Sequence, residues 1–200
     1  MFELLKQVLK PIGPTGGEQT VAEVLKPLIK PHVDTMETDV MGNLIAVKNG
    51  KPGGKRIMFS AHMDHIGFVV TDIEKEGFLR VMPLGGINIK NSVARQVIFA
   101  NGTPGVLMSQ PVPEGETQAI KHLFIDIGAE NREEALEKVN IGDAAVYAES
   151  PIRLGAHRVA SPAMDDRCAC ALLAALLQSL PETENTVAAV FSTQEEVGLR

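Results

Sequence analysis

Arg56-Ile57-Met58-Phe59-Ser60-Ala61-His62-Met63-Asp64 is the stretch on which the reading of this chain turns. Arg56–Phe59 is largely apolar and follows a Gly53-Gly54 turn, so it reads as a buried strand. At its far end stand a His and an Asp two residues apart. The period of two along a strand puts both side chains on one face. A neutral imidazole is a common ligand for borderline metals. Its other nitrogen usually needs a carboxylate or carbonyl to fix the tautomer. His62 and Asp64 are therefore a candidate ligand and a candidate orienter. Histidines that merely satisfy a core are commoner, so the pair alone decides nothing.

Two later stretches change the balance. Ser161-Pro162-Ala163-Met164-Asp165-Asp166-Arg167 sets two carboxylates just before an apolar helix. Val187-Ala188-Ala189-Val190-Phe191-Ser192-Thr193-Gln194-Glu195-Glu196 sets two more at the end of a second apolar strand. One imidazole and two acidic pairs, each at the edge of a buried element, suit a hard or borderline divalent metal.

The whole-chain numbers narrow the classes. Two hundred residues give room for one large domain or two small ones, and 44% hydrophobic residues supply a core. Aromatic residues are only 4% and Trp is absent, which argues against a base-stacking platform. Nineteen basic residues stand against 25 acidic ones, a net charge of −6, which argues against binding nucleic acid. No apolar run approaches a membrane span, and the N-terminus lacks the basic start and continuous apolar core of a signal peptide. Cys168 and Cys170 lie two apart in an expected helix, facing different ways, so they form no ordinary disulfide there. A reducing, cytoplasmic setting is expected.

Along the chain, Phe2, Leu5 and Leu9 make a helical stripe, broken by Pro11 to Gly17. Val21, Val24, Leu25 and Leu28 make a second, ended by Pro31 and either kinked or cut short at Pro27. Residues 33–39 and 43–48 read as a strand pair around Met41-Gly42. From Gly67 to about Ser150 the texture becomes short strands: 68–70, 78–81, 93–99, 123–128 and 144–148. Gly and Pro punctuate them, as in a small all-β barrel or sandwich. Residues 109–118 read as loop, and 131–139 as a short helix capped by Asn131. After Pro151 the first texture returns. Cys168 to Leu180 reads as a helix buried on most sides, stopped by Pro181. The expected fold class is an α/β domain interrupted by a small all-β insert, with the site at strand ends.

Five blocks in order carry a family resemblance: Ala61-His62-Met63-Asp64-His65-Ile66-Gly67, Phe78-Leu79-Arg80-Val81 with Gly85-Gly86, Phe124-Ile125-Asp126-Ile127-Gly128-Ala129, Met164-Asp165-Asp166-Arg167, and Gln194-Glu195-Glu196-Val197-Gly198-Leu199-Arg200. Over nearly its whole length the chain resembles the tetrahedral, co-catalytic metallo-aminopeptidases, which include glutamyl and deblocking aminopeptidases and proteins labelled cellulase M. The resemblance implies a zinc-peptidase-like catalytic domain made of residues 1–67 and 153–200. The β insert, 68–152, would be a dimerisation domain. It implies two divalent metal ions, zinc or cobalt, with His62 and Glu196 each binding one and Asp165 bridging both. Glu195 would be the general base acting on a metal-activated bridging water, and Asp64 would orient His62. Short peptides would be the substrates, and dimers would assemble into a dodecamer. The family supplies a further Asp and a further His beyond the Gln-Glu-Glu block. A catalytic domain truncated at its C-terminus is therefore expected, and none of His32, His65, His122 or His157 lies in a matching motif.

The chemistry fits these assignments. Two cations acidify a water and polarise a carbonyl, and a nearby carboxylate moves the proton. Adjacent acids point different ways, so Glu195 and Glu196 can divide the roles of base and ligand. That arrangement does not suit a glycosidase pair, which must flank a bond at about 5–9.5 Å. The plainer alternatives are surface acids closing a strand, Asp165 or Asp166 as a helix N-cap, Asp166 paired with Arg167, Cys168 and Cys170 as small helix residues, and Glu18 as a first-turn acid. A related amidohydrolase or deacylase, or an assembly module with an incomplete site, are the competing functions.

Overall fold

The computed structural model describes residues 1–198; Leu199 and Arg200, the end of the fifth block, lie outside the described residues. The chain divides at 65/66 and 149/150 into an α/β unit, Met1–His65 with Ser150–Arg200, and a second unit, Ile66–Glu149. The boundaries expected from sequence were 67/68 and 152/153.

Elements are numbered in chain order. The α/β unit begins with α1 (Phe2–Leu9) and α2 (Gln19–Ile29), followed by β1 (Thr35–Thr38), β2 (Leu44–Lys48) and β3 (Arg56–His62). It resumes with a hairpin of β10 (Ile152–Leu154) and β11 (Arg158–Ala160), then α4 (Met164–Ser179) and β12 (Thr186–Ser192). The sheet order is β1-β2-β12-β3, with β12 antiparallel to β2 and parallel to β3. Val8, Val21, Leu25 and Ile29 from α1 and α2 join Cys170, Ala174 and Leu177 from α4 against Leu44, Ala46, Ala189 and Phe191 of the sheet. The helical stripes thus form one apolar layer on the sheet.

Two expectations need correcting here. The apolar run of β3 is not buried: Arg56 through Ser60 are exposed, Met58 at 70%, because β3 ends the sheet and its outer edge pairs with no described strand. Hydropathy marks a strand but not its position in a sheet. Pro27 does not stop α2, which runs on to Ile29 and into a 3-10 turn at Lys30–His32. In α4, Arg167, Cys170, Ala171, Leu173, Ala174 and Leu177 are buried, and between Cys168 and Leu180 only Leu172, Gln178 and Ser179 are exposed.

The second unit is a closed, antiparallel six-stranded barrel ordered β4-β5-β8-β7-β6-β9. Its strands are β4 (Gly67–Ile73), β5 (Leu79–Leu84), β6 (Gln96–Phe99), β7 (Pro104–Ser109), β8 (Leu123–Asp126) and β9 (Ala144–Tyr147). Phe68, Val70, Leu79, Val97, Phe99, Leu107 and Ile125 fill it, and closure leaves no free strand edge. Between β8 and β9 lies α3 (Arg132–Leu136), where the Asn131 side chain accepts the Glu134 N–H at 2.9 Å, as its expected cap role requires. Residues 93–95, expected to be strand, are not: Ala94 sits at φ 64°, and regular pairing starts at Gln96. β7 was not legible because Pro104 opens it, a position where a strand tolerates proline.

Candidate active site

Asp64 is the fixed point of the candidate site. It lies just past the end of β3, not on the strand, and its side chain is fully buried. Its carboxylate gathers three donors: Thr15 Oγ1 at 2.8 Å and Glu196 N at 3.1 Å on Oδ2, and Glu195 N at 3.1 Å on Oδ1. Burial works to raise this carboxyl. The hydrogen bonds from His62, Thr15 and the backbone of Glu196 and Glu195 outweigh it and hold the group at about 2.

His62 is held from the same place. Its Nδ1 lies 3.0 Å from the Asp64 carbonyl oxygen and 3.4 Å from Oδ1. Both are acceptors, so Nδ1 carries a proton and Nε2 is the outward pole. Nε2 lies 3.3 Å from Asp165 Oδ1 and 3.7 Å from Glu195 Oε2. The hydrogen bond to Asp64, opposed by desolvation, raises the imidazole to about 9. At neutral pH and without a cation, Nε2 therefore holds a proton between two carboxylates. A cation that takes the place of that proton meets the same donors.

Asp165 and Asp166 interrupt the first turn of α4, since neither has helical backbone angles. No side chain caps that helix; the N-cap position is Ala163, at φ 61°. Regular helix, however, starts only after Asp166, which stands at the cap position by its place in the chain, but its Oδ1 lies 3.9 Å from Cys168 Sγ and accepts no backbone N–H as a capping side chain would. Asp165 faces His62 with its side chain 90% exposed. Asp166 does not pair with Arg167, whose donors go to backbone carbonyls: Nε to Met63, Nη1 to Val8 at 2.9 Å and to Pro11 at 3.3 Å, and Nη2 to Gly13 at 3.1 Å. Arg167 is fully buried, and burial pulls the guanidinium down to about 10, so it remains charged at neutral pH. Val8 lies in the last turn of α1, whose carbonyls have no partner within the helix. Arg167 thereby caps α1 and pins the loop that carries Thr15. Gly13 is required there, because a Cβ would lie 2.8 Å from Arg167 Nη2. Cys170 packs in the core with Sγ 3.1 Å from the His62 carbonyl, and burial pushes its thiol up to about 12.

Glu195 and Glu196 stand on a 3-10 turn, Glu195–Val197, beyond the end of β12. On such a turn neighbouring side chains diverge. Glu195 is the one beside His62. Glu196 is raised by burial, with the negative charges of Asp64, Asp165 and Glu195 adding and His62 opposing. Gln194, at φ 60°, turns the chain into this position, and its N–H donates to Glu18 Oε1 at 3.0 Å. Glu18 is thus a buried tertiary contact at the N-cap position of α2 and not the first-turn acid that sequence suggested.

The structure therefore brings His62, Asp64, Asp165 and Glu195 together, with Glu196 fixed by its backbone. Thr15 and Gln194 went unassigned in sequence, and Glu18 and Arg167 were given only local roles there. An arginine embedded in an apolar helix was the signal available for one of them. Among the described residues, no group of three or more His, Cys, Asp or Glu is placed to hold a metal ion by itself. What stands ready is two donors, an imidazole nitrogen and a carboxylate oxygen, with a second carboxylate within 4 Å of the same nitrogen. Those donor types fit a borderline divalent cation, as part of a shell and not a whole one.

A family model described as M42 glutamyl aminopeptidase matches residues 42–200. A curated relative described as a putative aminopeptidase of Acetivibrio thermocellus is 42% identical over 201 residues, covering 100% of this chain and 60% of the relative. Among solved structures, an aminopeptidase of the archaeon Desulfurococcus kamchatkensis superposes with a TM-score of 0.91 at 36% identity, covering 99% of this chain and 57% of that one. The TET1 peptidase of Pyrococcus horikoshii, described as able to assemble into a tetrahedron or a large octahedral shell, gives 0.87 at 35% identity, covering 98% and 62%. The chain spans about 60% of the length of the curated relatives it matches.

Proposed function

The chain belongs to the M42 glutamyl aminopeptidase family, and from that premise we propose that it is the greater part of a metal-dependent aminopeptidase removing N-terminal residues from short peptides. The observation that carries this is the aim of His62. Asp64 holds one ring nitrogen, and the other faces Asp165 and Glu195.

In this reading His62, Asp165 and Glu196 would hold two divalent ions, zinc or cobalt. When bound, such ions polarise the scissile carbonyl and make a water acidic enough to attack near neutral pH. Glu195 is the general base: its carboxylate takes the proton of the attacking water and delivers it to the departing amine. Asp64 serves both ends of that chemistry. Its carbonyl and carboxylate fix the imidazole, and its carboxylate oxygens fix the backbone of the two glutamates. A fixed turn matters because a misplaced base loses rate steeply.

The barrel serves in this reading as the dimerisation module, and dimers assemble into a dodecamer of identical chains. The similarity to the TET1 peptidase supports it, and mass photometry of the purified protein reads the assembly directly. No helix among the described residues is long and apolar enough to cross a membrane, and two free cysteines accord with a reducing, cytoplasmic compartment.

Glu195→Gln tests the central assignment. It keeps shape and removes basicity, so turnover of peptide amides should fall by about 10²- to 10⁴-fold. Metal content by elemental analysis should stay unchanged. Turnover equal to the parent's sinks the role given to Glu195.

A further inference from the structure

We propose that Glu18 is a positioning residue for the turn that carries Glu195, a role that rests on reading Glu195 as the base. Glu18 is 5% exposed. It occupies the N-cap position of α2, yet its side chain makes no capping bond there. The local work at that helix start is done by backbone and by Thr20: the Glu18 carbonyl accepts from Val21 N and Ala22 N, and Thr20 Oγ1 donates to Ile12 O and Gly17 O. The Glu18 carboxylate is left to reach across the fold, where Oε1 accepts the Gln194 N–H at 3.0 Å.

That N–H is the first of three in a row. Gln194, Glu195 and Glu196 all point their amide hydrogens at buried carboxylates, the first at Glu18 and the next two at Asp64. A left-handed residue followed by a helical turn makes a concave set of N–H groups that favours an anion. Here two side chains of the protein are the anions. Gln194 occupies a left-handed conformation at φ 60°, which a non-glycine residue adopts only when its surroundings hold it. Asp64 holds the residues after Gln194, and Glu18 holds Gln194 itself. Without Glu18 the turn keeps its far anchor and loses the near one, so the Glu195 carboxylate swings about its own backbone while the imidazole of His62 stays in place.

The role asks first for an acceptor atom, and that decides the test. In the full chain, Glu18→Met removes the acceptor at similar volume, Glu18→Gln retains a carbonyl oxygen, and Glu18→Asp withdraws the carboxylate by one carbon. Hydrogen exchange followed by mass spectrometry should show the 194–196 amides exchanging about five- to tenfold faster in Glu18→Met, as loss of one net hydrogen bond implies. Amides early in α2 should be unchanged. Glu18→Gln should match the parent within about twofold, and Glu18→Asp should behave as Glu18→Met does, which covers the case where the Met variant fails to fold. With a peptide amide substrate, kcat should drop about tenfold in Glu18→Met at constant KM, and Glu18→Gln should restore it. Unchanged exchange at 194–196, or a Gln variant as damaged as the Met variant, overturns the proposal. The exchange result stands apart from catalysis: a loosened turn in a parent that hydrolyses nothing upholds the positioning and refutes the aminopeptidase reading.

Discussion

Replacing Arg167 with Met should be among the most damaging single changes in the α/β unit, although Arg167 touches no substrate. The guanidinium satisfies four carbonyls, of Met63, Val8, Pro11 and Gly13, and three of those bonds are buried. A buried acceptor stripped of its donor costs about 1–3 kcal/mol. Three at the lower half of that range come to about 3–5 kcal/mol, after allowance for Met no longer burying a charge. A domain is stable by only about 5–15 kcal/mol. The loss should thus consume a large fraction of the total and lower the melting temperature by roughly 10–20 °C. Urea unfolding followed by circular dichroism measures it as a shift in midpoint at constant slope. Arg167→Lys keeps the charge but loses the planar fork, and should recover less than half. A Met variant within about 0.5 kcal/mol of the parent would show that water or relaxed backbone satisfies these carbonyls equally well.

Two further outcomes follow from Asp64 and His62. His62 is raised from 6.5 to about 9, so its contribution is complete below about pH 6.5 and is lost as pH climbs through 9. Asp64 is lowered from 3.8 to about 2, so its contribution is present above 3.8 and fades as pH falls through 2. In chelator-treated protein the urea midpoint should therefore decline between pH 7 and pH 9.5, and His62→Asn should flatten that decline; identical slopes in the two proteins would contradict the pairing. Asp64→Asn keeps one acceptor oxygen and turns an amide donor toward the backbone N–H of Glu195 or Glu196. It should cost about 2–4 kcal/mol by the same unfolding assay, and a neutral result would remove Asp64 from its central place.

Much of the scaffold was legible because it rests on local periodicity. The stripes at Phe2, Leu5 and Leu9 and at Val21, Val24, Leu25 and Leu28 became helices, and the Val187–Phe191 run became β12. The Asn131 cap was readable because its partner is three residues away. What escaped depends on distant chain. Nothing near Glu18 announces Gln194, and nothing near Arg167 announces the end of α1. The exposure of Ile57, Met58 and Phe59 escaped for the same reason, since an edge strand and an inner strand share one composition. The candidate acids stood out by type and position, but which of Glu195 and Glu196 comes to lie beside His62 is set by the Gln194 turn, which spacing does not encode.

The outer side of β3 has a consequence of its own. A terminal strand offers a row of unsatisfied N–H and C=O groups, and this one also offers uncovered Ile, Met and Phe side chains. Its protection is confined to one end, where Lys55 and Arg56 stand in solvent. Two copies laid side by side in the same direction would stack those cations on each other and repel. Laid head to tail about a twofold axis, they would separate the cations and leave the apolar stretch free to zip. Among the described residues that rim is bare, so whichever strand completes it, from the same domain or from another copy, meets two positive charges at one tip and apolar side chains along the rest.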